Sequence, residues 1–229
     1  MSVNRIQSSI VNREELYTHL KENVSVLNNE ALAQAFLAVD RKLFIPEAYE
    51  SEAYEDYAVP IGFNTTILSP TRAAFMLELL QPQEGQRVLV IGSGSGWVAA
   101  LIAHIVGIEG EVVGTEIEDG LIEQSRKNLE AAGIGGVTIE KAGNELGMPT
   151  SRPFHRIICL ASATELPSHL LPQLTQDGIA VVPVEETLYR IVKTGEFDFE
   201  DTAYPGFLFE PLQIGALAKT SKPRNTNTI

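Results

Sequence analysis

The chain has 229 residues, of which 44% are hydrophobic and 21% are charged, and these proportions are typical of one globular domain. Its formal net charge is -13 at pH 7. This acidity disfavours a bulk nucleic-acid binder and a protein that docks on an anionic membrane, because both need clustered Lys and Arg.

Cysteine content and apolar runs favour a soluble, cytoplasmic protein. The single Cys159 leaves no intrachain disulfide, and its apolar neighbours indicate a buried side chain and not a nucleophile. The first residues lack the apolar stretch of a signal peptide, and no run approaches the ~20 apolar residues that cross a bilayer.

The first third of the chain is predicted to be helical. Asn12 has the capping-box spacing ahead of a first helix, and 29–39 places its apolar residues on one helical face. After an irregular, aromatic and acidic stretch at 44–62, Ser69 is the natural cap of a helix that reaches about Leu80.

From residue 87 onward, strands and helices alternate, which predicts a parallel sheet covered on both faces. The last two strands have no helix between them, so we expect an antiparallel hairpin at the sheet edge. The predicted strands are 88–91, 111–116, 137–141, 156–160, 179–183, 188–193 and 207–212, and the predicted helices are 95–106, 119–132 and 165–174.

These elements predict one α/β domain with a Rossmann-like fold, in which a mostly parallel seven-stranded sheet carries an antiparallel edge hairpin and N-terminal helices. We expect residues 1–80 to form a helical and substrate-loop segment that packs on the same domain. Residues 81–218 would form the Rossmann-like core, and the polar, basic residues 219–229 a flexible tail.

A glycine loop follows the first strand of this core. Gly92, Ser93, Gly94 and Gly96 lie where the backbone must turn sharply and where the helix N-terminus offers free N–H groups to a ligand. Glu116, twenty residues past Gly96, ends the second strand and can accept both hydroxyls of a ribose. The alternative is a glycine turn needed only for packing, with Glu116 a solvated strand end.

The spacing of the glycines indicates which class of ligand the loop binds. The dinucleotide fingerprint has two residues between its second and third glycines, whereas one residue separates Gly94 from Gly96. This spacing favours S-adenosylmethionine, which has no pyrophosphate, and leaves a nicotinamide-dependent oxidoreductase as an alternative. Ile117, beside the carboxylate, is assigned to the same cofactor site.

Six blocks of sequence resemble the protein-L-isoaspartate O-methyltransferases in order and spacing, over roughly residues 30 to 215. The resemblance implies transfer of a methyl group from S-adenosylmethionine to the free α-carboxylate of an L-isoaspartyl residue in a damaged peptide or protein. The ester then closes to a succinimide, which opens partly to normal aspartate, so the implied role is protein repair or peptide modification. The blocks are 39–46, 53–56, 59–63, 87–97, 163–167 and 179–184.

The resemblance also implies a substrate loop at 59–69 that clamps the acceptor and closes over the cofactor. Thr66 keeps the family's threonine, and Thr66 and Ser69 are the candidate catalytic hydroxyls. The candidate substrate-binding residues are Ile61, Gly62, Phe63 and Trp97.

Several residues depart from the family pattern. Leu68 falls where the family has its loop serine, and Ser69 is one residue late, where a helix cap is its simplest role. Val90 replaces an acidic residue before the glycine loop, and Gly143 replaces the aspartate that addresses the adenine amine. Asn144 is the candidate substitute for that aspartate, one residue out of register.

These observations leave three functional hypotheses. The first is a carboxyl methyltransferase for isoaspartyl or related aspartyl peptides. The second is a methyltransferase-like binding or regulatory protein that has lost catalysis, which Leu68, Val90 and Gly143 favour and the glycine loop opposes. The third is the nicotinamide-dependent oxidoreductase. His155, which opens a strand beside Arg156, is interpreted as a surface residue and not as a catalytic acid or base.

Overall fold

The computed structural model describes residues 9–213, so the predicted tail at 219–229 lies outside the described residues. The first helix, α1 (Arg13–Thr18), is capped as expected, because the Asn12 side chain accepts the Glu15 N–H at 2.8 Å. A single π-helical turn at His19–Asn23 continues it.

Helices α2 (Glu30–Ala38) and α3 (Pro70–Leu80) confirm the predicted helices, and α3 has the predicted Ser69 cap. The Asn29 side chain caps α2, and the Ser69 hydroxyl accepts the Arg72 N–H at 3.4 Å at the start of α3. The predicted apolar face of α2 is buried in the core.

Between these helices lies a β-hairpin that the sequence pattern did not indicate. Strands β1 (Val59–Gly62) and β2 (Thr65–Ile67) pair antiparallel around a two-residue turn. Both turn residues, Phe63 and Asn64, have positive φ, at 53° and 56°, as a primed hairpin turn requires. Positive φ is unfavourable for a bulky Phe, and this explains why no turn signal was evident.

The described residues contain one seven-stranded sheet, with the order β5-β4-β3-β6-β7-β8-β9. Strands β3 to β7 run parallel to one another, whereas β8 and β9 add antiparallel pairs at the edge, which confirms the predicted fold class. The strands span Arg87–Ile91 (β3), Glu111–Glu116 (β4), Val137–Lys141 (β5), Phe154–Cys159 (β6), Leu174–Val184 (β7), Thr187–Lys193 (β8) and Phe199–Pro205 (β9), and the two remaining helices Trp97–Val106 (α4) and Asp119–Ala131 (α5).

The two faces of the sheet are covered differently. Val88 and Val90 of β3 belong to the larger hydrophobic core, together with buried residues of all five α-helices. Leu89 and Ile91 point to the other face, into a smaller core that includes Leu170 and Leu171 of a 3-10 turn. Alternate side chains of β3 therefore pack against a layer of helices on one face of the sheet and against irregular chain on the other.

The predicted helix 165–174 is wrong: the chain forms only a 3-10 turn, Ser168–Gln173, before β7 begins at Leu174. Pro172 lies inside this turn and Pro167 immediately precedes it. Proline has no N–H and disfavours helical geometry in the residue before it, so a regular α-helix cannot form here.

The predicted strand 207–212 is also wrong, because the last strand of the sheet is β9, at Phe199–Pro205. Strand β9 is mostly exposed and polar, so it lacks the apolar alternation that marks a strand. The aromatic residues that suggested a strand instead pack on α3, where the rings of Phe207 and Phe75 stack at 5.0 Å.

No helix within residues 9–213 combines the length and the apolar character needed to cross a membrane.

Candidate functional site

The glycine loop connects β3 to α4 with a backbone that glycine alone adopts easily. Gly92, Gly94 and Gly96 have φ values of 73°, 54° and 90°. Gly96 is the N-cap of α4, and a Cβ there would lie 3.3 Å from the Ser125 Cβ of α5. The loop therefore combines an unusual backbone with close packing of two helices.

Glu116 lies at the end of β4, facing this loop, and is only 6% exposed. Its Oε2 accepts the Gly94 N–H at 2.9 Å, and its Oε1 accepts the N–H groups of Ile117 at 2.7 Å and Glu118 at 3.1 Å. A carboxylate accepts about four hydrogen bonds, so at least one acceptor position remains. The carboxylate thus holds the glycine loop in place and can still bind a ligand hydroxyl.

One cavity of about 660 Å³ joins the glycine loop to the hairpin β1–β2. Its volume is within the range of small-molecule and cofactor sites. It lies outside the carboxyl ends of β3 and β4, which is where open α/β sheets bind ligands. Of the predicted site residues, the cavity is lined by Ile61, Phe63, Thr66, Gly92, Ser93, Gly94, Trp97, Glu116 and Ile117.

Four predicted residues are not in the lining of this cavity. Gly62 and Gly96 shape the hairpin and the helix start, and Ser69 is the buried N-cap of α3. Asn144 is exposed and lines a neighbouring cavity of about 370 Å³. The two cavities share Gly143 and other residues, so Asn144 lies beside the main cavity and not within it.

Trp97 packs against the N-terminal segment and is 2% exposed. Its ring meets the ring of Phe36 edge-on at 5.6 Å, and the Arg41 guanidinium lies 5.1 Å from its centroid. Trp97 also lines the cavity, so it connects the helical segment to the site.

Arg41 is a positioning residue that the sequence analysis did not single out. It is 2% exposed, and its guanidinium donates to the carbonyls of Ala53 at 2.7 Å, Tyr57 at 3.1 Å and Leu68 at 3.0 Å. Burial lowers the pKa of Arg41 to about 10. These bonds fasten the chain on both sides of the hairpin, including Leu68, which lines the cavity at the position of the missing serine.

The tip of the hairpin reaches the first turn of α5. Phe63 packs so closely on Gly120 that any side chain added to Gly120 would collide with the Phe63 ring. Phe63 also lines the cavity, and because it is 54% exposed its ring is not part of the core.

Four further charged residues that line the cavity were not predicted: Arg72, Glu118, Glu145 and Glu210. Glu210 accepts the Thr65 hydroxyl at 2.7 Å and the Thr66 hydroxyl at 2.8 Å, each on a different carboxylate oxygen. Arg72, in the first turn of α3, has its guanidinium 5.9 Å from the Phe209 ring. Arg72 and Glu210 lie outside the motifs, and no local spacing marked them.

Two reactive side chains lie outside the site. The Nδ1 atom of His155 accepts the Arg87 N–H at 3.0 Å, which supports a structural role. Cys159 is fully buried, and burial raises the pKa of its thiol to about 12. Among residues 9–213, no cluster of three or more His, Cys, Asp or Glu side chains could hold a metal ion.

Comparisons with known proteins agree on one family. The family model described as protein-L-isoaspartate(D-aspartate) O-methyltransferase matches residues 11–214. A protein-L-isoaspartate O-methyltransferase of Ignicoccus hospitalis is 40% identical over 175 residues, which cover 74% of this chain and 83% of that protein. The Pyrobaculum islandicum enzyme of the same name is 36% identical over 196 residues, covering 83% of this chain and 94% of that one.

Solved structures give the same result. A Plasmodium falciparum protein of that name, in complex with S-adenosyl-L-homocysteine, superposes with a TM-score of 0.79 at 25% identity. The match covers 88% of this chain and 98% of the Plasmodium chain.

Proposed function

This chain belongs to the protein-L-isoaspartate(D-aspartate) O-methyltransferase family, and we propose that it transfers a methyl group from S-adenosylmethionine to the free α-carboxylate of isoaspartyl residues in peptides and proteins. The observation that carries the proposal is that one cavity extends from the glycine loop and Glu116 to the hairpin β1–β2. A cofactor in one half of this cavity would face an acceptor in the other half.

The residues of the first half fit the nucleoside part of the cofactor. Glu116 keeps acceptor capacity for a ribose hydroxyl. Ser93 lines this half through the loop backbone, because its buried hydroxyl lies beside Gly114 of β4, where an added Cβ would be 3.3 Å from the Ser93 Oγ. We assign Gly92, Gly94 and Ile117 to the same half.

When bound, S-adenosylmethionine supplies a methyl group on a sulfonium, and the new ester O–CH₃ bond forms as the S–CH₃ bond breaks. An acceptor carboxyl group is already ionised at pH 7, since its reference pKa is near ~4, so no general base is required. The task of the protein is to align the carboxylate oxygen and to exclude water. The apolar side chains of Ile61, Phe63 and Leu68 line this half of the cavity and serve that purpose.

The predicted polar residues take different roles in this proposal. Thr66 is the candidate that touches the acceptor, because it lines the cavity and carries a hydroxyl. Ser69 acts through the start of α3 and is a positioning residue, since its hydroxyl caps that helix. Asn144 contacts the adenine end only if the ligand extends into the neighbouring cavity.

A methyl-transfer assay tests the proposal. The purified protein is incubated with methyl-labelled S-adenosylmethionine and a peptide that contains one isoaspartyl residue, and its aspartyl twin is the control. We expect a base-labile methyl ester on the isoaspartyl peptide alone. Labelling of neither peptide, at saturating peptide, would contradict the proposal.

A second candidate function is a binding protein that retains the cofactor site without catalysis. It is favoured by Leu68 in the place of the family's serine, and by the engagement of Thr65 and Thr66 with Glu210. Calorimetric binding of S-adenosylhomocysteine together with no methyl transfer would support it. Membership of a methyltransferase family removes the ground for the nicotinamide alternative.

The partner in this proposal is a peptide or protein with an isoaspartyl or related aspartyl residue. A cytoplasmic location, and the lack of nucleic-acid and membrane partners, stay predictions from the composition.

A further inference from the structure

The acceptor half of the cavity already contains a carboxylate. Glu210 presents its two oxygens to two hydroxyls of β2, those of Thr65 at 2.7 Å and Thr66 at 2.8 Å. All three residues line the cavity. The chemical group held here is the same group that the proposed acceptor presents, so the chain itself shows which atoms bind a carboxylate in this half.

We propose that the hydroxyl pair of Thr65 and Thr66 is the acceptor-carboxylate subsite and that Glu210 occupies it as an internal competitor until a substrate displaces it. The inference rests on the proposed function for the identity of the acceptor.

The backbone of Glu210 is fixed, so displacement requires a movement of its side chain only. The Glu210 carbonyl accepts the Ser162 N–H at 2.7 Å, and the Leu212 N–H donates to the Ser162 carbonyl at 2.8 Å. These two bonds anchor the segment beside the end of β6. Because Glu210 is exposed, its carboxylate can turn into solvent without a penalty for burying charge.

The charge of the cavity also makes Glu210 unfavourable for binding of an acceptor carboxylate. In the described part of the chain, the charged side chains lining the cavity are Glu116, Glu118, Glu145, Glu210 and Arg72. An acceptor carboxylate therefore enters a cavity with an excess of negative charge, and a carboxylate at position 210 repels it at close range. Removal of Glu210 would both vacate the hydroxyls and reduce this repulsion.

Calorimetric titration of an isoaspartyl peptide into the protein saturated with S-adenosylhomocysteine tests the inference. We expect Glu210→Ala to bind the peptide roughly three- to tenfold more tightly, which is the scale of one net hydrogen bond, with no change in S-adenosylhomocysteine affinity. The matched control is Glu200→Ala, which removes an exposed carboxylate of β9 that does not line the cavity and should leave both affinities unchanged.

A double-mutant cycle separates occupancy from charge alone. In a Thr65→Val/Thr66→Val background, Glu210→Ala should give little or no gain, because the hydroxyls that it would vacate are absent. If Glu210→Ala tightened peptide binding just as much in that background, the two threonine hydroxyls would not be the subsite. If Glu210→Ala alone left peptide affinity unchanged or weaker, Glu210 would not be a competitor.

The methyl-transfer assay on the same proteins distinguishes this inference from the proposed function. Tighter peptide binding by Glu210→Ala without methyl transfer by any variant would sink the proposed function and leave the subsite standing. Methyl transfer with an identical KM in wild type and Glu210→Ala would support the proposed function and contradict the role of Glu210 as a competitor. Absence of peptide binding in every variant would contradict both.

Discussion

Glu116 is the side chain on which the cofactor half of the cavity depends. It is buried, and its carboxylate accepts three backbone N–H groups, one of them from the glycine loop. A single carboxylate therefore does two tasks, holding the loop and offering the remaining acceptor position to a ribose.

The substitution Glu116→Gln tests both tasks. Its amide NH₂ faces backbone donors and cannot accept from them, so S-adenosylhomocysteine affinity should fall at least about tenfold, the scale of one or two lost hydrogen bonds to a buried group. Calorimetry measures this, with the exposed Glu123→Gln on α5 as the control. An unchanged affinity would remove Glu116 from the site.

The thiol of Cys159 is buried in β6, and its pKa is raised to about 12. The thiolate is the reactive form, so the native protein at pH 8 should react with a thiol reagent such as 5,5′-dithiobis(2-nitrobenzoate) only as fast as it unfolds. The same protein in denaturant should release one equivalent of chromophore at once. Rapid labelling of the native protein would show that β6 is open to solvent.

At the scale of elements, the hairpin β1–β2 is tied to the N-terminal segment through Arg41. The buried guanidinium of Arg41 binds carbonyls on both sides of the hairpin, and its cationic face lies on Trp97. Neighbouring helices α2 and α4 bring these two residues together through Phe36. The acceptor half of the cavity thus depends on an element far from the glycine loop in sequence.

The change Arg41→Lys tests this dependence. Lysine keeps a charge but cannot reach several carbonyls with one ammonium, so we expect a loss of roughly 2–4 kcal/mol in the free energy of unfolding, measured by denaturant titration. The KM for an isoaspartyl peptide should rise more than the dissociation constant for S-adenosylhomocysteine. The exposed neighbour Lys42→Ala is the control, and equal effects on both ligands would contradict a role specific to the hairpin.

Elements with a periodic apolar pattern were predictable, and those set by distant contacts were not. Strands β4 and β5 have their predicted bounds: β4 is buried along nearly its whole length, and β5 is an edge strand that alternates apolar and polar residues, with Ile139 buried. The hairpin has Phe63 in a conformation that no sequence rule favours, and β9 is a polar edge strand. Pro172 argued against the predicted helix, but the leucines around it have helical spacing and favoured the helix prediction.

At the scale of the whole molecule, the topology places the ends of β3 and β4 side by side and so creates the crevice. That part of the site was predictable, because the glycines and Glu116 have a fixed spacing that the parallel sheet converts into proximity. The bond from Thr65 to Glu210 joins residues 145 positions apart. No spacing in the sequence encodes such a contact, so the acceptor half could be placed only by the fold.

The central claim is that one cavity holds the cofactor on the glycine loop and Glu116 and the acceptor under the hairpin. A crystal structure of the protein with S-adenosylhomocysteine and an isoaspartyl peptide tests it most directly. We predict ribose hydroxyls within hydrogen-bond distance of the Glu116 carboxylate, and the peptide carboxylate between β2 and the cofactor sulfur. Density for the nucleoside or the peptide outside this cavity would contradict the account.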